Sequence, residues 1–157
     1  MILFKNAEVI LEDRTERLCV LVDGKKIVKI ANDIAVHEGT QVIDCEGLYL
    51  SPGFIDLHVH GGGGISAMCC DSEKIKAMAR AHALHGTTSI LPTTLAAPVN
   101  QLLKAAEHIK KAAETCDCGN IVGIHFEGPY LSPENRGAQS ADNILSPLKD
   151  DPTPLLD

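Results

Sequence analysis

The strongest constraint on the fold is a recurrence. Compact apolar or β-branched segments at 54–59, 87–92 and 121–126 follow one another at intervals of about 33 residues, and a helical pattern fills each gap. In the first gap Ile75, Met78, Ala79 and His82 recur at i, i+3, i+4 and i+7 behind Ser72 as the capping residue, with Gly86 as the stop. In the second, Pro98 suits a first helical position. Behind it Val99, Leu102, Leu103, Ala106, Ile109 and Ala113 form an apolar stripe, with Lys104, Glu107, Lys111 and Glu114 elsewhere. Strands alternating with helices at this interval are βαβ units, so the spacing predicts an α/β fold with a parallel sheet and right-handed crossovers.

Residues 1–51 read differently, as short strands at 2–4, 8–11, 18–22, 26–30, 40–44 and 48–50. Asp23-Gly24 between two apolar runs predicts a tight hairpin of type I′. Ser51-Pro52-Gly53 punctuates the chain, and a domain boundary is expected there: 1–51 as one β domain, 52–157 as the strand–helix units.

Composition narrows the function. Fourteen basic against 21 acidic side chains leave a formal charge of −7, without the basic footprint of a nucleic-acid binder or a polybasic membrane anchor. The charge-free run 86–103 is broken by Pro92 and Pro98, so no membrane span is expected, and the N-terminus lacks a signal-peptide pattern. The expected compartment is the cytoplasm. The six cysteines show no disulfide framework and are expected as reduced thiols. Cys116/Cys118 and Cys69/Cys70 are weak metal signals for which ordinary loop thiols are the simpler account. The glycines at 61–64 lack the Lys-Ser/Thr of a nucleotide phosphate loop.

Polar residues gather where the strands end. His58 and His60 close the first strand at i and i+2, on one face, with glycines behind them that leave room for a ligand. His125-Phe126-Glu127 closes the third. Imidazoles with a carboxylate are a donor set for Zn or Fe, and residues at the carboxyl ends of parallel strands converge on active sites. A lone strand histidine is more often a hydrogen-bonded core residue; the pair gains weight from its flanking Pro-Gly-Phe-Ile-Asp and Gly-Gly. Asp56 shares the His58 face and is a candidate partner of its imidazole. Packing or capping accounts for His82 and His85, and His37 and His108 read as surface residues.

PGFIDLHVHG resembles the opening signature of the amidohydrolase superfamily, metal-dependent hydrolases built on a (β/α)8 TIM barrel. GTTSILPTT and GIHFEGPYLSPENRGAQ are similar to segments of the N-acetylglucosamine-6-phosphate deacetylases within it. The resemblance implies that Glu127 is a metal ligand, that His58 and His60 bind a second metal in members that keep both, and that Ala138 and Gln139 contact the sugar. It implies one or two divalent ions, Zn or Fe, and hydrolysis of the acetamide of N-acetylglucosamine 6-phosphate to glucosamine 6-phosphate and acetate. The partner it implies is thus a small amino-sugar phosphate, with no nucleic acid or membrane, and a homodimer when complete. It implies that residues 1–51 belong to a small β-sandwich domain and 52–157 to the first three β/α units of the barrel.

A barrel of this type needs about 250 residues, so the chain is expected to be an N-terminal portion that is inactive alone. Two more histidines and the general acid/base aspartate are expected beyond Asp157. Two other functions remain open: an amidohydrolase acting on a cyclic amide, as dihydropyrimidinases and hydantoinases do, and a non-catalytic barrel scaffold.

Overall fold

The structure, a computed structural model, describes residues 1–156. Asp157, the residue beyond which the general acid/base aspartate is expected, lies outside the described residues. The chain divides into two compact units, Met1–Pro52 and the residues from Gly53 on. Among the described residues no helix is long and apolar enough to cross a membrane.

The first unit is one five-stranded mixed sheet. It comprises β1 (Ile2–Ile10), β2 (Thr15–Asp23), β3 (Lys26–Ala31), β4 (Gln41–Asp44) and β5 (Tyr49–Leu50), in the order β3-β2-β1-β4 with β5 also on β1. The two short strands expected at 2–4 and 8–11 are one. The break between them is a bulge: the register shifts between Phe4 and Ala7, and Asn6 takes a φ of 59° while its Nδ2 donates to Asp44 Oδ1 at 2.9 Å. The hairpin falls one residue later than expected. Asp23 still pairs with Lys26, so Gly24 and Lys25 form the loop, and of these only Gly24 has positive φ where a type I′ turn needs two. Side chains alternate across the sheet. Ala7, Val9, Leu18, Val20 and Cys45 form one buried cluster, and Leu3, Cys19 and Ile34 another.

The second unit contains β6 (Phe54–Val59), the small hairpin β7 (Gly61–Gly62) and β8 (Ile65–Ser66), α1 (Ser72–Ala83), β9 (Thr87–Thr94), α2 (Val99–Thr115), β10 (Asn120–Ile121) and β11 (His125–Phe126). β9 lies in the middle. Its Ile90 is paired in parallel with Asp56 on one side and Ile121 on the other, and further along Thr93 faces His125. The single strand expected over 121–126 is thus two short ladders with Gly123, a poor strand residue, between them. Two βαβ steps result, with the carboxyl ends of β6, β9 and β11 side by side.

The helices differ from expectation in detail. Asp71, not Ser72, caps α1: its carboxylate accepts from the backbone N–H groups of Glu73 and Lys74 at 3.0 and 3.2 Å. Asp71→Ala is expected to cost about 0.5–2 kcal/mol in denaturant unfolding, with Ser72→Ala well below it. Pro98 sits one position earlier than expected, as the N-cap of α2. The buried stripe of α2 is Leu102, Ala105, Ile109 and Ala112, so the face is rotated by about one residue from the expected one, and Leu103 and Ala113 are exposed. Ile75, Met78 and Ala79 of α1 and Ile109 and Ala112 of α2 pack with Val59, Ile90 and Ile121 of the sheet into one core. That core anchors the strands whose ends carry the polar cluster.

Candidate metal centre

β6 ends at Val59 and β11 at Phe126, and parallel pairing to β9 brings the residues at these two ends together. His58 Nε2, His60 Nε2 and Glu127 Oε2 form a triangle with edges of 2.8 Å (His60–Glu127), 3.0 Å (His58–Glu127) and 3.2 Å (His58–His60). Among the described residues this is the one group of three or more His, Cys, Asp or Glu side chains whose donor atoms converge. The sequence brought these residues forward in two separate clusters, 69 positions apart at their widest; the sheet makes them one.

The hydrogen bonds around the triangle fix its chemistry. His60 Nδ1 lies 3.1 Å from the Thr93 carbonyl oxygen, an acceptor only, so Nδ1 carries the hydrogen. In the neutral ring Nε2 then holds a lone pair, and this lone pair faces the Glu127 carboxylate at 2.8 Å. Two electron-rich atoms at that distance repel each other unless a cation or a proton lies between them. An imidazole that donates its other N–H to a backbone carbonyl is the usual setting of a metal-ligating histidine. The size of the triangle agrees. Donor atoms 2.8–3.2 Å apart are close enough for His58, His60 and Glu127 together to hold a divalent ion such as Zn or Fe. Three donors so arranged occupy one face of a coordination sphere and leave the other open to water or substrate.

The Glu127 carboxyl is held below its usual range, first by the Gln139 side chain, then by the hydrogen bond to His58 and the electrostatic influence of the two neighbouring imidazoles; desolvation opposes this. His58 and His60 stay half-exposed, so the donors face accessible space.

The other residues singled out by sequence lie outside this group. Asp56 turns to the backbone, its Oδ1 accepting from the His58 N–H at 3.1 Å, so it does not orient the imidazole. His125 packs edge-to-face on His58, with centroids 4.8 Å apart, and its Nδ1 is 3.4 Å from Thr93 Oγ1; it lies outside the converging group. His82 supports the loop behind His60: its Nε2 donates to the Gly61 carbonyl at 3.1 Å. A Cβ on Gly62 would overlap that imidazole, and one on Gly61 would overlap the Ile65 carbonyl, which explains both glycines. Ala138 is exposed and Gln139 buried. All six cysteines are free; Cys116 and Cys118 have Sγ atoms 3.7 Å apart but, among the described residues, no third donor.

The residue that sequence reasoning passed over is Thr93. Fully buried at the end of β9, it accepts the Val59 N–H on Oγ1 at 2.9 Å, donates its hydroxyl to the Leu91 carbonyl and offers its own carbonyl to His60. Its one signal in the chain is a hydroxyl residue just after Pro92, next to an end that needs polar partners.

Comparison with known proteins gives a consistent picture. Residues 49–152 match the model of the amidohydrolase family. The chain is 31% identical over 135 residues to the N-acetylglucosamine-6-phosphate deacetylase of Lysinibacillus sphaericus, an alignment covering 85% of this chain and 35% of that protein. It is 38% identical over 93 residues to the N-acetylgalactosamine-6-phosphate deacetylase of Escherichia coli O157:H7, covering 57% of this chain and 24% of that one. The crystal structure of N-acetylglucosamine-6-phosphate deacetylase from Pasteurella multocida superposes with a TM-score of 0.83 at 32% identity, covering 94% of this chain and 40% of its own. The chain therefore spans between a quarter and two-fifths of the length of these proteins.

Proposed function

The chain belongs to the amidohydrolase family, and we propose that it supplies part of the metal centre of a deacetylase that hydrolyses the acetamide of N-acetylglucosamine 6-phosphate to glucosamine 6-phosphate and acetate. The observation that carries this reading is the convergence of His58, His60 and Glu127 in a chain similar to such deacetylases over most of its length. In this reading residues 1–51 are the small β domain and residues from 52 on are the opening units of a (β/α)8 barrel.

An acetamide is a poor electrophile and neutral water a poor nucleophile; a bound divalent ion, Zn or Fe, polarises the carbonyl and lowers the pKa of water toward about 7. The residues present hold and orient. Thr93 keeps the His60 tautomer with its lone pair at Nε2. Glu127 supplies the negative charge that two neutral imidazoles lack. The open side of the triangle receives the acetamide, and Ala138, an exposed residue, lies in the loop where the resemblance places the sugar. Glu127 also speaks against the cyclic-amide reading, because the hydantoinase type typically bridges its metals with a modified lysine instead.

The test is acetate release by the complete protein supplied with Zn(II) or Fe(II). N-acetylglucosamine 6-phosphate is the expected substrate, and prior chelation is expected to abolish turnover. Opening of hydantoin without acetate release would overturn the reading. Acetate from N-acetylgalactosamine 6-phosphate alone would move the assignment to the epimeric sugar.

A further inference from the structure

Over the stretch that carries the two histidines, β6 is longer than its neighbour. Asp56 pairs with Ile90 and Val59 with Pro92, so three steps along β6 match two along β9, and one residue of Leu57-His58 is extra. Such a bulge disrupts the ladder and re-aims the side chains around it. Two side chains take its N–H groups in turn. The His58 N–H donates to Asp56 Oδ1 at 3.1 Å, and the Val59 N–H donates to Thr93 Oγ1 at 2.9 Å. The second of these belongs to the peptide joining His58 to Val59, directly between the paired imidazoles. Thr93 Oγ1 is itself tied to β9, because its hydrogen goes to the Leu91 carbonyl at 3.1 Å. With that hydrogen spent, the hydroxyl can only accept from His125 Nδ1, 3.4 Å away, and His125 packs edge-to-face on His58. The Thr93 carbonyl meanwhile holds the His60 ring. One fully buried residue thus grips the backbone between the two histidines and a ring on each side of it.

We propose that Thr93 is a positioning residue for the histidine pair: its hydroxyl locks the bulge of β6 in the conformation that brings His58 Nε2 and His60 Nε2 to 3.2 Å from each other. The proposal rests on the reading of His58, His60 and Glu127 as ligands of a divalent ion. A bulged strand lacks the regular ladder that fixes its neighbours' dihedrals, and a rotation of the peptide between His58 and Val59 swings the two rings relative to each other. A buried hydroxyl committed to both strands removes that freedom before any ion arrives. The oxygen is what the task requires. Valine has nearly the shape of threonine but neither accepts from Val59 nor donates to Leu91, whereas serine keeps both bonds and lacks only the methyl group.

The experiment measures Zn(II) and Co(II) affinity of the full chain by competition titration, with a thermal melt of each variant in chelator. Thr93→Val removes the hydroxyl at nearly constant volume, and Thr93→Ser retains it. Thr94→Val is the control, because Thr94 is equally buried on the same strand and its Oγ1 has no hydrogen-bond partner among the described residues. Thr93→Val is expected to lose about 10–100-fold in affinity, as partners of metal ligands typically do, while Thr93→Ser and Thr94→Val stay within about threefold of wild type. Unchanged affinity in folded Thr93→Val overturns the proposal. So does a loss in Thr93→Ser as large as in Thr93→Val, which would assign the effect to packing of the methyl group, or an equal loss in Thr94→Val. If Thr93→Val does not fold, the bulge is loosened at its other N–H instead. Asp56→Ala is then expected to bind more than about threefold more weakly than Asp56→Asn, which keeps an accepting oxygen, and equal affinities overturn the proposal. A wild-type chain that binds neither ion overturns the metal reading itself, and that failure is recognisable because no substitution is needed to see it.

Discussion

Glu127→Gln is expected to remove stoichiometric binding of a divalent ion. The substitution keeps the size of the side chain and takes away the one anionic donor of the triangle, leaving two neutral imidazoles and an amide. The loss is expected to exceed the roughly 10–100-fold that removal of a ligand's partner costs, because a ligand itself is lost. Equilibrium dialysis against Zn(II) followed by metal analysis reads this directly. A second readout comes from linkage: an ion that binds only the folded state raises the melting temperature. Chelation is therefore expected to lower the melting temperature of the wild-type chain and leave that of Glu127→Gln unmoved. Full metal content in the variant would mean that Glu127 is no ligand.

Met78→Ala is expected to produce the largest loss of stability, about 2–5 kcal/mol. Met78 is fully buried in the cluster that joins Ile75, Ile109 and Ala112 of the helices to Ile90 and Ile121 of the sheet. Truncation forfeits the transfer free energy of the side chain and leaves a cavity between elements that are fixed on both sides. Urea unfolding is expected to show a lower midpoint with an unchanged slope. On the same helical segment Leu84, 74% exposed, provides the contrast, and Leu84→Ala is expected to stay within about 0.5 kcal/mol. Equal effects at the two positions would contradict the assignment of the helix face. Val59, one residue from each strand-end histidine, belongs to the same cluster, so loss of this core is expected to weaken the metal centre as well.

How far local pattern reaches is visible element by element. Both helices and all three parallel strand positions of the second unit follow from periodicity, because apolar spacing is imposed by the geometry of the element itself. The exact face is less secure: in α2 the alanines at 105, 106, 112 and 113 are interchangeable to any hydrophobicity count, and only packing on the sheet selects 105 and 112. The capping of α1 is ambiguous for a similar reason, since Asp71 and Ser72 are both good caps and backbone dihedrals decide between them. In the first unit the bulge at Asn6 depends on a bond to Asp44, 38 residues away, which no local window contains.

The candidate site divides in the same way. That His58 and His60 form a pair, and that Glu127 ends another strand, is determined by the chain alone, because strand alternation and the βαβ order place chemistry at carboxyl ends. Their meeting within about 3 Å, the tautomer of His60 set by the Thr93 carbonyl, and the burial of Gln139 with its amide oxygen on the Ala96 N–H were decided only by the tertiary structure. Each depends on the direction of a particular lone pair or N–H across a strand pair or between loops, and that direction is absent from composition and spacing.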